Sequence, residues 1–376
     1  MTQATQLRRV LEATRAFPRI TDVLPAAYSA LGLDIARPEL ADTLELDQPR
    51  NVCVVLIDGL GYRLLSERLG HAPCLRRHYG DIVEAHTVIP STTAAAITSF
   101  TTGEFPGRTR MVGWSVKDGN EPVVLLSFDG SSMPPEQWQP VPTLFQRAAE
   151  SADLSAAVVL SARFANSGLT RAALRGATHV AAESWDERID AALHQLRIGT
   201  PMVYLYWSEL DHTGHVNGWE STAWVEELER IDAGLARLEA ESPRGSVVIV
   251  TADHGMVDTH PSRRIDIADH PELHHGLEMV AGEGRAVHIH PQPGADDLLD
   301  RWERFLADRA IIVRGHDIVE TVGGKGAALM GAGLALMCDN WVCVDSRSQP
   351  HGLINLIGVH GATSAEEMTI PVLRLR

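Results

Sequence analysis

Four cysteines are spread through 376 residues, at positions 53, 74, 338 and 343. Their spacing matches neither a zinc site nor a redox motif, and Cys53 falls inside a predicted strand, so buried or surface thiols are expected. Basic charge is scarce as well: 33 Lys and Arg face 49 Asp and Glu, a net charge of -16. That balance argues against non-specific binding to a nucleic-acid polymer or an anionic membrane. An anionic substrate would need a local positive centre, which metal ions would supply. Long apolar runs are missing. The most apolar late stretch, residues 326–338, is bounded by Lys325 and Asp339 and is too short to span a bilayer. The first residues, from Met1 through Arg8 and Arg9, lead into no apolar segment and make no secretory signal, so a cytoplasmic protein is expected. What remains is ordinary for a globular chain, 44% hydrophobic and 22% charged. The length suits one large α/β domain with an insertion, or two domains.

Within that composition the chain is organised around Thr251-Ala252-Asp253-His254-Gly255-Met256. Residues 246–250 before it are apolar and β-branched and read as a buried strand. A carboxylate and an imidazole therefore stand together at a strand's C-terminal end, where ligands bind in open α/β sheets. Gly255 permits the sharp turn on which the two side chains would converge. The plainer alternative is an Asx-type turn with a solvated histidine.

Other segments repeat the pattern. Residues 51–57 form a continuous apolar run, read as a buried strand, that ends in Asp58-Gly59. Residues 202–207 are a strand running into Asp211 and His215, whose i, i+4 spacing presents two ligands from a helical turn or from a loop. Pro90 precedes Ser91-Thr92-Thr93 and an alanine-rich stretch that reads as a helix closed by Gly103. A hydroxyl there either caps the helix or reacts with a phosphate held by the helix N-terminus. Strands at 122–128 and 154–161 and helices at 7–16, 143–151, 184–196 and 223–240 complete an alternation that implies a mostly parallel central sheet sandwiched by helices. Residues 18–50 read as irregular. Asp269, His270, His274 and His275 read as a metal-indifferent loop, and His288 and His290 as one face of a strand. The expected divisions are an irregular or helical lead-in (1–50), a catalytic core (51–291), a small α+β subdomain (292–345) with a helix at 296–308, and a return to the core (346–376).

Together, Asp58, Asp253, His254 and the Thr93 hydroxyl would hold one cation, and Asp211, His215 and His360 a second. Mixed imidazole and carboxylate donors suit Zn²⁺ or Mn²⁺. Two such ions roughly 3.5–4 Å apart clamp the oxygens of a phosphoryl transfer. One ion would lower the pKa of Thr93, and the other would hold the phosphoryl oxygens and then activate water. The Ala94 N–H would be a donor to the phosphoryl group.

The order Asp58, Pro90-Ser91-Thr92-Thr93, Asp211-x-x-x-His215, Asp253-His254-Gly255 and His360-Gly361 resembles the alkaline phosphatase superfamily, and within it the type I phosphodiesterase/nucleotide pyrophosphatase branch. The resemblance covers residues 52–372. It implies two divalent metals, a covalent phospho-threonine intermediate and a small nucleotide phosphodiester as substrate. Thr102-Gly103 matches the pair that closes the family's nucleophile helix and selects Thr93. The sequence departs from secreted members at two places. Ala94 stands where an aromatic residue stacks on the base, and Met111-Val112-Gly113-Trp114 lacks an Asn that contacts the phosphate. Trp114, Arg108 and Arg110 are candidate substitutes. The chain is similar to cytosolic members that open cyclic di-AMP to pApA and cut it to AMP. A phosphonoacetate hydrolase-like or other phosphate-ester hydrolase of the superfamily is the nearest alternative, and a non-catalytic metal- or nucleotide-binding protein is the alternative of another class. A sulfatase would need Cys-x-Pro-x-Arg or Ser-x-Pro-x-Arg, which the sequence lacks, and the superfamily's mutases typically use serine.

Overall fold

The computed structural model describes residues 3–16 and 18–376; Met1, Thr2 and Phe17 of the expected lead-in lie outside the described residues. Strands β1 (Asn51–Ile57), β2 (Val83–His86), β3 (Ala156–Leu160), β4 (Thr178–Ala181), β5 (Met202–Trp207), β6 (Ser246–Thr251) and β7 (Thr369–Arg374) form a seven-stranded sheet in the order β2-β7-β6-β1-β5-β3-β4. All run in one direction except β7, which is antiparallel to both its neighbours. Every residue of β1 and β6 is buried, as expected for the middle of a parallel sheet covered on both faces. The register sets Ile57 beside Trp207 and Leu56 beside Thr251, so β1, β5 and β6 end at the same level. Whatever follows these three strands must meet at one edge of the sheet.

Helices flank the sheet. Thr93–Thr102 is buried along residues 94–102, with Phe100 against Tyr204 at 5.2 Å, and ends on Gly103 at φ 73°. Trp185–Ile198 and Thr222–Glu241 pack against each other. Their contact depends on Gly234, because a Cβ there would lie 2.0 Å from the Trp185 indole nitrogen.

The expected irregular segment at 18–50 holds a helix, Ile20–Ala30, with Pro25 inside it and Ile20, Val23, Leu24, Ala27 and Tyr28 buried. Proline lowers intrinsic helix preference, but burial of an apolar face overrides it here. The expected strand at 122–128 is shorter: Glu121–Val124 pairs with Ser115–Asp118, and the chain then turns so that Leu125 N–H donates to the Trp114 carbonyl at 2.8 Å.

A second sheet is antiparallel throughout, with Leu277–Glu283, Ala286–Pro291, Gly333–Met337 and Ala310–Arg314 in spatial order. Its first hairpin precedes residue 292, so the expected boundary between core and subdomain cuts through this sheet. Strand partnership over such distances is not written in local periodicity. One face packs on the helix Leu298–Leu306, where Trp302 is buried and donates its N–H to the Leu273 carbonyl at 3.0 Å. The other face packs on Ala94, Met111, Val112 and Val116, which seats the sheet against the start of the Thr93–Thr102 helix.

Candidate metal centre

Asp58 follows β1, Asp253 and His254 follow β6, and the helix Glu209–Asn217 follows β5, so the common register of the three strands delivers all of them to one place. Two glycines make the convergence possible. Gly59, at φ 75°, turns the chain after Asp58, and its N–H donates to Asp253 Oδ1 at 3.2 Å. At Gly255 a Cβ would stand 2.0 Å from the Glu366 carbonyl and 2.8 Å from Gly61 Cα, so three backbones meet where no side chain fits.

His254 lies at the centre. Its Nε2 is 3.4 Å from Asp58 Oδ1, 3.4 Å from Asp253 Oδ2 and 3.2 Å from Thr93 Oγ1. Its ring stacks on that of His360 at 3.7 Å. Asp211 and His215 sit one turn apart on their helix, with Nε2 3.2 Å from Oδ2, and His360 Nε2 is 3.8 Å from Asp211 Oδ1. The seven residues expected at the site therefore gather in one cluster. Their grouping differs from the expectation in one respect. The compact triads are Asp58, Asp253, His254 and Asp211, His254, His360, while His215 joins through its contact with Asp211. Sequence spacing pairs Asp211 with His215 but cannot show the stacking of His254 on His360.

The hydrogen bonds around the cluster orient its donors. Each imidazole directs Nδ1 at a backbone carbonyl: His215 at Gly358 (2.7 Å), His254 at Gly255 (3.1 Å) and His360 at Ser91 (2.8 Å). A carbonyl only accepts, so the proton sits on Nδ1 and Nε2 faces the carboxylates. Asp58 Oδ1, Asp211 Oδ1 and Asp253 Oδ2 are buried with no hydrogen-bond partner. Three bare carboxylate oxygens and three imidazole nitrogens converging out of water is a donor set that fits divalent cations, because a buried anion otherwise carries a large desolvation cost. The ionisation states agree with that strain. Burial, then the charges of Asp253 and Asp211, raise Asp58 well above the usual carboxylate range. Burial likewise raises Asp253. Burial acts in the same sense on Asp211, but His215, His360 and His254 around it bring it below the usual range. Burial pulls His215 down, yet Asp211 outweighs it and holds the imidazole up to about 9. Burial and the neighbouring His254 keep His360 well below its ordinary value.

Thr93 opens its helix, preceded by Thr92 in extended conformation. The Thr92 side chain makes no capping bond, which leaves the first-turn N–H groups, including that of Ala94, without a side-chain acceptor. Ser91 instead braces the His360 loop: its hydroxyl donates to the Ala362 carbonyl at 2.8 Å and accepts from Gly361 N–H at 3.1 Å.

Two residues of the site escaped the sequence reading. Tyr206 donates its hydroxyl to Asp58 Oδ2 from the neighbouring strand; its place one residue from the end of β5 was the available signal. Glu283, at the end of Leu277–Glu283, accepts from Trp114 N–H at 2.8 Å through Oε2 and leaves Oε1 buried without a partner. Burial, opposed in part by Trp114 N–H and Thr92, pushes Glu283 up to about 8. No motif marked it. Of the candidate substitutes for phosphate and base contacts, Trp114 lines the cavity beside Thr93, whereas Arg108 pairs with Glu104 at 3.2 Å and Arg110 lies over Trp138. His288 and His290 are buried in the second sheet, and the His270 ring lies tilted against Phe305 at 4.5 Å.

Two cavities, of about 330 and 620 Å³, border the cluster, and Thr93, Asp211 and His215 line both. Among the described residues, no helix is long and apolar enough to cross a membrane.

A family model described as type I phosphodiesterase/nucleotide pyrophosphatase matches residues 52–311. No curated protein matches the sequence. Among solved structures, murine ectonucleotide pyrophosphatase/phosphodiesterase 5 matches with a TM-score of 0.69 at 19% identity, covering 86% of this chain and 87% of that one. An inactivated form of the same mouse protein in complex with AMP matches at 0.68 and 18%, with coverage of 86% and 87%. Phosphonoacetate hydrolase from Sinorhizobium meliloti 1021, in complex with phosphonoformate, matches at 0.68 and 20%, with coverage of 87% and 90%. At these identities the structural likeness is one of fold.

Proposed function

Because the chain belongs to the type I phosphodiesterase/nucleotide pyrophosphatase family, and so is a phosphoric diester hydrolase of the alkaline phosphatase superfamily that works with divalent metals, we propose that its substrate is cyclic di-AMP and its nucleophile Thr93. The observation that carries the nucleophile is the position of its hydroxyl, 3.2 Å from His254 Nε2 at an uncapped helix N-terminus. Two divalent cations, Zn²⁺ or Mn²⁺, held by Asp58, Asp253, His254 and Thr93 and by Asp211, His215 and His360, would supply the positive charge that acidifies the hydroxyl and neutralises the phosphoryl oxygens.

The protein's own groups do the rest. Thr93 Oγ1 attacks phosphorus, and one ester oxygen leaves carrying a proton in place of the one Thr93 gives up. The N–H groups of the first helical turn, Ala94 among them, donate to the phosphoryl oxygens as charge builds there. Water then cleaves the bond between Thr93 Oγ1 and the phosphorus, which still carries the other ester arm, releasing that arm as a phosphate monoester and restoring Thr93, so each cycle consumes one water. On a cyclic dinucleotide the first cycle opens the ring to pApA, and the second releases two AMP. Tyr206 and the carbonyls of Ser91, Gly255 and Gly358 hold the ligands in place throughout.

Several features support a nucleotide. The fold is shared with a phosphodiesterase crystallised with AMP, and the two cavities leave room for groups on both sides of one phosphodiester. A phosphonoacetate hydrolase-like reading fits less well, because a substrate carboxylate needs a free cation. Arg285 in the smaller cavity is paired with Glu367 at 2.7 Å, and Arg163 in the larger with Glu209 at 3.3 Å. We place the protein in the cytoplasm, with residues 51–276 and 346–376 as the catalytic core around the second sheet.

The test is turnover of cyclic di-AMP by metal-loaded wild type and Thr93→Ala, with cyclic substrate, pApA and AMP resolved. AMP from the wild type and none from the variant is the expected result. Turnover surviving in the variant removes Thr93 as nucleophile. A wild type that cleaves bis(p-nitrophenyl) phosphate but leaves cyclic di-AMP intact removes the substrate and keeps the reaction class.

A further inference from the structure

Arg108 and Arg110 line neither cavity at the metal cluster. With Lys325 they border a separate cleft of about 640 Å³ that shares no residue with those two. Among the described residues no Asp or Glu borders it, so in a chain of net charge -16 it is a local positive centre. Lysine is nearly absent from the sequence, at positions 117 and 325 alone. Lys117 pairs with Glu278 at 2.6 Å. Lys325 stands within Gly323-Gly324-Lys325-Gly326 and has no ion-pair partner among the described residues.

The backbone is built to bring these cations together. The short helix Pro106–Thr109 follows the Thr93–Thr102 helix, and the Lys325 loop follows the helix His316–Val322, between two strands of the second sheet. The two segments meet through glycines. A Cβ on Gly107 would lie 2.4 Å from the Gly324 nitrogen, and one on Gly326 would lie 2.8 Å from the Gly107 carbonyl oxygen. Arg110, at φ 65°, is held by Trp138: its guanidinium lies 4.9 Å over the ring, and its carbonyl accepts from the indole N–H at 3.1 Å. A ring face orients a cation without neutralising it. Arg108 pairs with Glu104 at 3.2 Å, but both side chains are exposed, and such a pair is held weakly. Gathering three like charges costs Coulomb energy that a bound anion returns.

We propose that this cleft is a second ligand site, which takes a phosphate dianion, free or borne by a small molecule as a monoester. Lys325, Arg108 and Arg110 meet the phosphate, and Val141, Ala328 and Leu329 border the space for whatever it carries. Lysine meets phosphate as a point charge and arginine through paired N–H donors, so the mixed set suits a tetrahedral dianion. The volume is that of an ordinary small-molecule site. The site uses none of the metal cluster and stands independently of the hydrolase reading. Because its cations come from the segment after the Thr93–Thr102 helix and from a connection of the second sheet, a bound phosphate ties the two together.

The test is calorimetric titration of orthophosphate and of AMP into metal-loaded protein, in about 0.15 M chloride to screen unspecific attraction. Wild type is compared with Arg108→Gln/Lys325→Gln and with Lys325→Arg. Both replaced side chains are exposed, and thermal melting checks folding. The wild type should bind a ligand that the double variant binds about tenfold more weakly or not at all, and that Lys325→Arg retains. Tighter binding of AMP than of orthophosphate identifies a monoester as the ligand, and equal affinities identify the phosphate group alone. Binding at the metal cluster is told apart by repeating the titration on protein freed of metal and then of chelator, where binding in the cleft should persist. A folded double variant that binds both ligands as the wild type does, or loss of all binding with the metal, overturns the site. A wild type without phosphodiesterase turnover rejects the hydrolase reading and leaves the outcome of these titrations for the cleft unchanged.

Discussion

Removing divalent metal should lower the melting temperature by an amount that the cluster's composition sets. Asp58, Asp211 and Asp253 each hold a buried oxygen with no hydrogen-bond partner, and three Nε2 atoms face them. A cation that binds this arrangement and not the unfolded chain stabilises the fold by mass action. At a free concentration of 1,000 times Kd that contributes about 4 kcal/mol for one site. Unfolding entropy of about 2.1 cal/mol/K per residue, over 376 residues, is close to ~0.8 kcal/mol/K. One occupied site should therefore raise the melting temperature by about 5 °C and two by about 10 °C. The assay is a thermal melt of chelator-treated protein against the same protein reloaded with Mn²⁺ or Zn²⁺, with metal content measured on each sample. Asp58→Asn and Asp253→Asn should retain a smaller rise, because each removes a charge from the triad around His254. A rise under about 1 °C in protein that demonstrably carries metal would refute the reasoning, since it would mean that the bare oxygens are not where the cation sits.

Three further expectations concern residues around the cluster. Tyr206→Phe removes the hydroxyl that donates to Asp58 Oδ2 and should weaken metal affinity by about 10–100-fold, read by metal titration; unchanged affinity would make the bond incidental. Glu283 has its carboxyl pKa raised to about 8 in the fold, first by burial, so the folded protein keeps a proton that the unfolded chain releases near ~4.3. Its contribution is complete below about pH 4 and is lost as pH rises to about 8, so urea midpoints should fall across that window in wild type and fall less in Glu283→Gln. Equal slopes would reject a neutral Glu283. Arg285→Met leaves Glu367 buried without its cation and should cost about 3–5 kcal/mol in denaturant unfolding. Glu367 also accepts from Ala362 N–H, two residues from His360, so the same variant should bind metal less tightly, and an unaltered metal titration would confine the pair to stability.

Much of the site was legible because short motifs sit at strand ends. The runs at 51–57, 202–207 and 246–250 read as strands, and a parallel sheet brings their C-terminal ends to one edge. That places Asp58, Asp211, Asp253 and His254 together before any coordinate is known. Thr93 and His360 were reachable through their order in the chain and the resemblance that order carries. Tyr206 and Glu283 were not, since one acts across a strand pair and the other arrives from the second sheet. The lead-in helix Ile20–Ala30 was hidden by Pro25, whose local preference is overridden by the core it covers.

Composition and periodicity thus determined the class of fold, the sheet edge at which the chemistry was expected and Asp58, Asp211, Asp253 and His254 as candidate ligands there, because alternation of strand and helix and the chemistry of Asp and His are local properties. Tertiary structure alone decided how those ligands share one space. The stacking of His254 on His360, the bare carboxylate oxygens and the raised pKa of Glu283 all depend on contacts between residues 100 or more positions apart. Such contacts are fixed by burial and backbone packing over the whole chain, which no local stretch of sequence encodes.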